Sequence, residues 1–132
     1  MAGESFTSAG DLLQAAARLK ANRAVFEYTV PTALAQDTGI QTIGIVQLTG
    51  GEELMASRRC QGNLIQLSYE LAKEALKQLN GKVLEDGEAD VFWANPANAK
   101  LRTLVVTAFN VVNQPTQDDA ASFLASRTVK VG

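Results

Sequence analysis

Apolar and polar positions alternate with a period of two over residues 23–30 and again over 40–48, and this predicts two strands. In the first, Phe26, Tyr28 and Val30 share the face expected to point inward, and Pro31 ends the run. In the second, Ile43, Ile45 and Gln47 alternate with Gly44, Val46 and Leu48. A glycine inside a strand points to a bulge or to a close approach. Residues 32–39 (TALAQDTG) read as a loop or turn, with Asp37-Thr38-Gly39 as its turn signal. The two strands are expected to pair antiparallel and to pack on helices, because a lone hairpin is marginal in water.

At Thr49-Gly50-Gly51-Glu52-Glu53-Leu54 the period changes to that of a helix, predicted over residues 51–79. Thr49 or Gly50 can cap it, and Glu52 and Glu53 suit the positive end of the helix dipole. Leu54, Leu64, Leu67, Leu71 and Ala75 form one stripe, which Ile65, Ala72, Leu76 and Leu79 widen. A face this broad expects contact on more than one side. Gly62 costs about 1 kcal/mol relative to Ala in mid-helix, so a kink or a break into two helices is expected there. Asn80-Gly81 reads as the helix stop.

Residues 11–20 (DLLQAAARLK) predict a short helix with Ser8 as cap and Leu12, Ala15, Ala16 and Leu19 on one face. Residues 1–7 are small and polar and are expected to fray. Residues 82–84 suit a brief third strand, 85–90 an acidic turn, and 91–93 a short helix or turn closed by Asn95-Pro96. A further helix is predicted over 97–112, its main face Leu101, Leu104, Val105, Ala108 and Val112, extended by Val106 and Phe109. Gln114-Pro115-Thr116 breaks the chain. Thr116 then caps a last helix, in which Asp118 and Asp119 favour the dipole and Ala121, Phe123 and Leu124 offer a face that docks on the domain or, as the alternative, engages a neighbouring copy or a partner. Residues 127–132 alternate and suit a terminal strand or arm. With no internal repeat or linker, the expected architecture is one domain over residues 1–132. Its class is α+β: a small N-terminal antiparallel sheet packed on a mainly helical C-terminal part.

Composition narrows the function classes. Among 132 residues, 46% are hydrophobic and 20% charged, and the net charge is −2, with no face basic enough for general nucleic-acid binding. Arg58-Arg59 is the one local basic pair that stands out. No apolar run approaches the roughly 20 residues that a bilayer-spanning helix needs. The first residues carry Glu4 where a secretory signal wants Lys or Arg, so no signal is read. Histidine is absent, which removes the commonest general base and metal ligand. Cys60 is the sole cysteine; it reads as a small buried or semi-buried helix residue, since no histidine is present to activate it. Glu85, Asp86, Glu88 and Asp90 lack the spacing of a calcium loop and read as a solvated turn. Neither Gly39 to Gly44 nor Gly50-Gly51 has the residues of a phosphate loop. No catalytic, metal or cofactor residue is therefore proposed from the sequence, and an enzyme is not expected. Arg58, Trp93, Phe109 and Phe123 are the candidate protein-interaction residues; Trp93, the single tryptophan, suits either a core plug or an interface anchor.

The order of the motifs resembles the tail assembly chaperones of long-tailed bacteriophages. The resemblance rests on Val46-Gln47-Leu48-Thr49-Gly50-Gly51-Glu52-Glu53-Leu54, on Leu71-Ala72-Lys73-Glu74-Ala75-Leu76 and on Asn80-Gly81-Lys82. It continues through Trp93, Leu101-Arg102-Thr103-Leu104-Val105, Ala108-Phe109-Asn110 and Asn113-Gln114-Pro115, and closes on Phe123-Leu124-Ala125-Ser126-Arg127. It covers residues 23–131; residues 8–20 lie outside it. The resemblance implies a small helical protein without an active site. Such a protein binds the tape-measure protein during assembly, keeps it soluble and helps recruit tail-tube protein subunits. Self-association as a homo-oligomer, the host cytoplasm as the place of action, and absence from the finished virion are also implied. The competing expectation is a structural virion component of tail, neck or baseplate.

Overall fold

A computed structural model describes residues 9–130. A first helix, α1 (Ala9–Ala21), precedes β1 (Phe26–Thr29), α2 (Thr32–Thr38) and β2 (Thr42–Ile45). Two helices follow, α3 (Gly50–Cys60) and α4 (Leu64–Ala75), then a hairpin of β3 (Leu76–Leu79) and β4 (Lys82–Val83). The chain ends with α5 (Glu88–Ala94), a 3-10 turn at Pro96–Asn98, α6 (Ala99–Asn113) and α7 (Gln117–Ala125). The four strands form one antiparallel sheet in the order β1-β2-β3-β4. The class is α+β, with the sheet assembled from both halves of the chain.

The β2–α3 junction behaves as its residues dictate. Thr49 caps α3 by accepting from the Glu52 N–H at 3.2 Å, while the Glu52 carboxylate accepts from the Thr49 N–H at 3.0 Å. The helix does not run on to residue 79. Gln61 (φ 49°) and Gly62 (φ 85°) are both left-handed, and Asn63 starts a new helix by accepting from the N–H groups of Ile65 and Gln66.

Residues 76–79 are a strand rather than a last helical turn. Asn80 (φ 54°) and Gly81 (φ 75°) form a two-residue hairpin turn, not a helix stop. Both positive φ values match the Asn-Gly preference of tight hairpins. Asn80 also ties this turn to the next connection, donating to Gly39 O at 3.0 Å and accepting from the Gln41 N–H at 2.6 Å. Residues 32–39, expected as a loop, form α2, which Gly39 closes with φ 75° and an N–H donated to Ala35 O.

Gly44 meets both sequence expectations. The β2–β3 register shifts between Gly44 and Ile45, with Lys77 the extra residue on β3. A side-chain carbon at Gly44 would lie 2.8 Å from Gln78 Cβ and 2.8 Å from Val25 Cγ1.

The core lies where α4 and α6 meet β2 and β3. Ile45, Val46, Leu76, Leu101 and Val105 are its most enclosed large side chains. Along β1, Val30 is buried and Tyr28 half-buried, but Phe26 stays exposed, so the inward face fades toward the start of that edge strand. In α1 only part of the expected face can be followed: Ala15 is buried and Leu12 exposed, whereas the side chains of Ala16 and Leu19, like Ser8 and residues 1–7, lie outside what is described. The last helix departs from expectation most. Its start is fixed by a Thr116–Asp119 capping box, yet every residue of α7 is exposed. Residues 127–130 that follow form no strand.

Candidate functional site

Two apolar grooves flank α6. The first lies between α4 and α6 and is lined by Ile65, Ser68, Tyr69, Thr103 and Val106, with a volume of about 310 Å³. It exists because the apolar face of α4 is broader than its contact with the core uses. Ala72 and Ala75 fill the core side, which leaves Leu64 (79% exposed) and Ile65 (76%) facing solvent at the start of the helix. Trp93 forms the groove's neighbour. Its ring meets Tyr69 edge-on at a centroid distance of 6.1 Å and Phe92 at 6.2 Å. Arg102 on α6 donates to the carbonyls of Trp93 at 3.0 Å and Asn95 at 3.3 Å, which holds the end of α5 against α6. Asn98, itself buried, donates to Phe92 O at 3.0 Å.

The second groove lies between β1, β2 and another face of α6. Tyr28, Val30 and Ile43 form one wall and Leu104, Ala108 and Val111 the other, around a volume of about 250 Å³. Thr107 is the polar member of its α6 wall.

A polar cleft of about 270 Å³ lies between α3, α4 and the start of α5. Arg59, Lys73, Glu74 and Asp90 among its lining are held in ion pairs. Arg59 donates to Glu70 at 2.9 Å and Glu74 at 3.1 Å, pinning α3 to α4. Lys73 pairs with Glu70 at 3.2 Å and with Asp90 at 2.8 Å. Burial pulls the Lys73 pKa down, and its bonds to Asp90 and Glu70 more than compensate, so the ammonium stays charged above its ordinary range. These groups brace helices against each other.

The acidic turn is likewise structural in part. Glu88 accepts from the Glu85 N–H at 2.7 Å, and Asp90 belongs to the Lys73 pair. Cys60 is buried, and its thiol donates to Ala56 O at 3.1 Å. Among the described residues no group of three or more His, Cys, Asp or Glu is placed to hold a metal. Among them, too, no helix is long and apolar enough to cross a membrane.

The four sequence candidates fall on four elements. Arg58 is exposed in the last turn of α3. Trp93 is half-buried beside the first groove. Phe109 is 4% exposed and belongs to the core, so it supports α6 and presents no surface to a partner. Phe123 is 77% exposed on α7. Ile65, Tyr69 and Val106, which shape the first groove, were not among the candidates. The signal for Ile65 was the breadth of the apolar face over 64–79, wider than a single core contact uses, and that for Val106 its place at the edge of the 97–112 face; Tyr69 had none. No family model, curated protein or solved structure matches the chain.

Proposed function

We propose that this protein is an assembly chaperone of a bacteriophage tail. In this reading it binds the tape-measure protein, keeps it soluble before the tail tube closes around it, and helps recruit tail-tube subunits. The observation that supports the reading is the α4–α6 groove with its exposed rim of Leu64 and Ile65 and its aromatic side of Tyr69 and Trp93. An amphipathic helix of a client seats its apolar stripe in such a groove. An aromatic pair beside it supplies area at little entropic cost. The motif order from Val46 to Arg127 adds the family resemblance.

A structural virion subunit is the second reading, and the exposed α7 favours it, because a permanent neighbour would cover that helix. Two measurements separate them. Co-expression with the tape-measure protein of the same phage should raise the soluble yield of the client and co-purify it through this chain. Mass spectrometry should find the chain abundant in lysates of producing cells and missing from purified particles. Failure of both binding and solubilisation would overturn the chaperone reading. Stoichiometric peptides in particles would replace it with the structural one.

A further inference from the structure

Helix α7 leaves the body of the fold with its apolar side unused. All nine of its residues are exposed, Phe123 at 77% and Leu124 at 70%, and these two share a face with Ala120. Isolated helices shorter than about 12–15 residues are marginal in water, so α7 needs a surface to lie on. The groove between β1 and α6 is a surface of that kind. Leu104, Ala108 and Val111 form one row along α6 beside it, and Val111, the member nearest α7 in the chain, is 68% exposed.

The link between the two helices selects the direction. Residues 114–116 join α6 to α7, and a connection of three residues is the length of an antiparallel helix hairpin. Folded back in this way, α7 meets the α6 row in register. At a rise of about 1.5 Å per residue, Ala120, Phe123 and Leu124 lie about 5, 9 and 11 Å beyond the start of α7. Val111, Ala108 and Leu104 lie about 3, 8 and 14 Å back from the end of α6 by the same rise. Ala120 thus falls level with Val111, and Phe123 and Leu124 fall between Ala108 and Leu104.

Side-chain chemistry selects the groove. On the flank facing α4, α6 continues from Thr103 and Val106 to Asn110 and Asn113. Asn110 is exposed, and Asn113 is bonded to Val46 O and the Leu48 N–H, so the part of that flank nearest α7 offers no apolar seat. Tethering selects the chain's own helix over that of a second copy. A short link holds its helix at an effective concentration on the order of millimolar, about a thousandfold above a second copy at micromolar protein.

We propose that α7 is a strap that folds back antiparallel on its own α6 and closes the β1–α6 groove with Phe123 and Leu124. In the conformation described above the strap is open, and Phe123, Leu124 and Val111 all face solvent. Closure covers both apolar surfaces in one contact, and the groove is open to any other ligand only when the strap lifts. The strap covers a groove that the client reading does not use, so it stands independently of that reading.

Disulfide trapping at micromolar protein tests it. Cys60, the only native cysteine, is buried and does not compete. Under copper–phenanthroline, Val111→Cys with Ala120→Cys is expected to form an intrachain disulfide at least tenfold faster than Asn110→Cys with Ala120→Cys, in a product that runs as a monomer. Dye binding gives a second readout. Phe123→Asp releases the strap and bares the groove, so the emission of anilinonaphthalene sulfonate should rise at least threefold. Without closure the same change only removes an exposed ring, and emission falls. Should Phe123→Asp fail to fold by circular dichroism, Leu124→Asp takes its place. Equal trapping rates for the two pairs overturn the proposal, as does dye emission that falls or stays unchanged. Disulfides formed only between chains also overturn it and give the groove to a second copy.

Discussion

Arg23 grips the Glu52 carboxylate with both terminal guanidinium nitrogens, Nη2 donating to Oε2 at 3.0 Å and Nη1 to Oε1. Arg23 Nη1 also donates to Gln47 O at 3.0 Å, and Lys77 Nζ on β3 lies 3.9 Å from Glu52. One carboxylate thus caps α3 and ties the segment before β1 to the β2–α3 junction, with β3 close by. A cap at Thr49 or Gly50 and an acid at Glu52 were legible in the sequence, but the Arg23 partner of Glu52, 29 positions away, was not.

The first prediction concerns acid. Burial pushes the Glu52 carboxyl up, but the Arg23 bonds, the Thr49 N–H and the charges of Arg23 and Lys77 outweigh it and bring the pKa down from 4.5 to about 2. A lowered carboxylate pKa contributes stability that is complete above 4.5 and is lost as pH falls through about 2. By linkage the contribution is about 3 kcal/mol at neutral pH. Glu52→Gln should therefore lower stability by about that amount at pH 7 in urea denaturation. The gap to wild type should shrink as pH drops from 4.5 toward 2. A gap of equal size at pH 7 and pH 3 would show that the charge is not what stabilises the junction.

Gly44 gives the second. Its restriction is space, since Gln78 Cβ and Val25 Cγ1 stand 2.8 Å from where a methyl would go. Gln78 Cβ is fixed to the backbone of β3 and cannot swing away. Gly44→Ala should cost about 1–3 kcal/mol, the range for overpacking. Gly50→Ala is the control: nothing lies within 4 Å of its added carbon, and it sits at the start of α3. That change should be neutral or stabilising by a few tenths of a kcal/mol. Equal thermal midpoints for the two variants would refute the steric argument.

A third prediction tests how the chain closes. Asn113, at the end of α6, donates to Val46 O at 3.1 Å and accepts from the Leu48 N–H at 2.7 Å. It substitutes for a strand partner where β2 has run out. Asn113→Ala leaves both backbone groups short of a partner and should destabilise by about 2 kcal/mol. Asn113→Asp keeps the acceptor for Leu48 and loses the donor to Val46, so it should fall between Ala and wild type. Hydrogen exchange should show faster opening at Leu48 in the Ala variant than in the Asp variant.

What was legible in the sequence follows the range of the physics involved. Local signals worked: a cap at Thr49 or Gly50, which falls on Thr49, the cap at Thr116, a kink or break at Gly62, which is a break, and a bulge or close approach at Gly44. Residues 76–79 were misread because Leu76 and Leu79 extend the helical stripe of α4, and periodicity alone does not separate a short strand from a last helical turn. The Asn80-Gly81 pair serves either reading, and only the pairing of Leu79 with Lys82 decides for the hairpin. Helix α2 was hidden by a turn-rich end, Asp37-Thr38-Gly39, which proves to be its C-terminal cap. Whether a large apolar side chain is core or surface was the least legible matter. Phe109 and Phe123 look alike in sequence, and tertiary packing alone sends one into the core and the other to solvent.

That contrast carries the last prediction. Phe109→Ala empties a core site and should cost about 3–5 kcal/mol, with any loss of binding following from lost fold. Ile65→Asp changes a residue 76% exposed and should leave stability within about 0.5 kcal/mol of wild type. If the α4–α6 groove receives the client, Ile65→Asp should nonetheless weaken client binding at least tenfold. Trp93 offers the readout: it is the only tryptophan and touches Tyr69 on the groove wall, so its emission should shift blue as the client excludes water. The shift should be lost in Ile65→Asp at client concentrations that saturate wild type. Unchanged binding by Ile65→Asp, with the fold intact, would move the client off this groove.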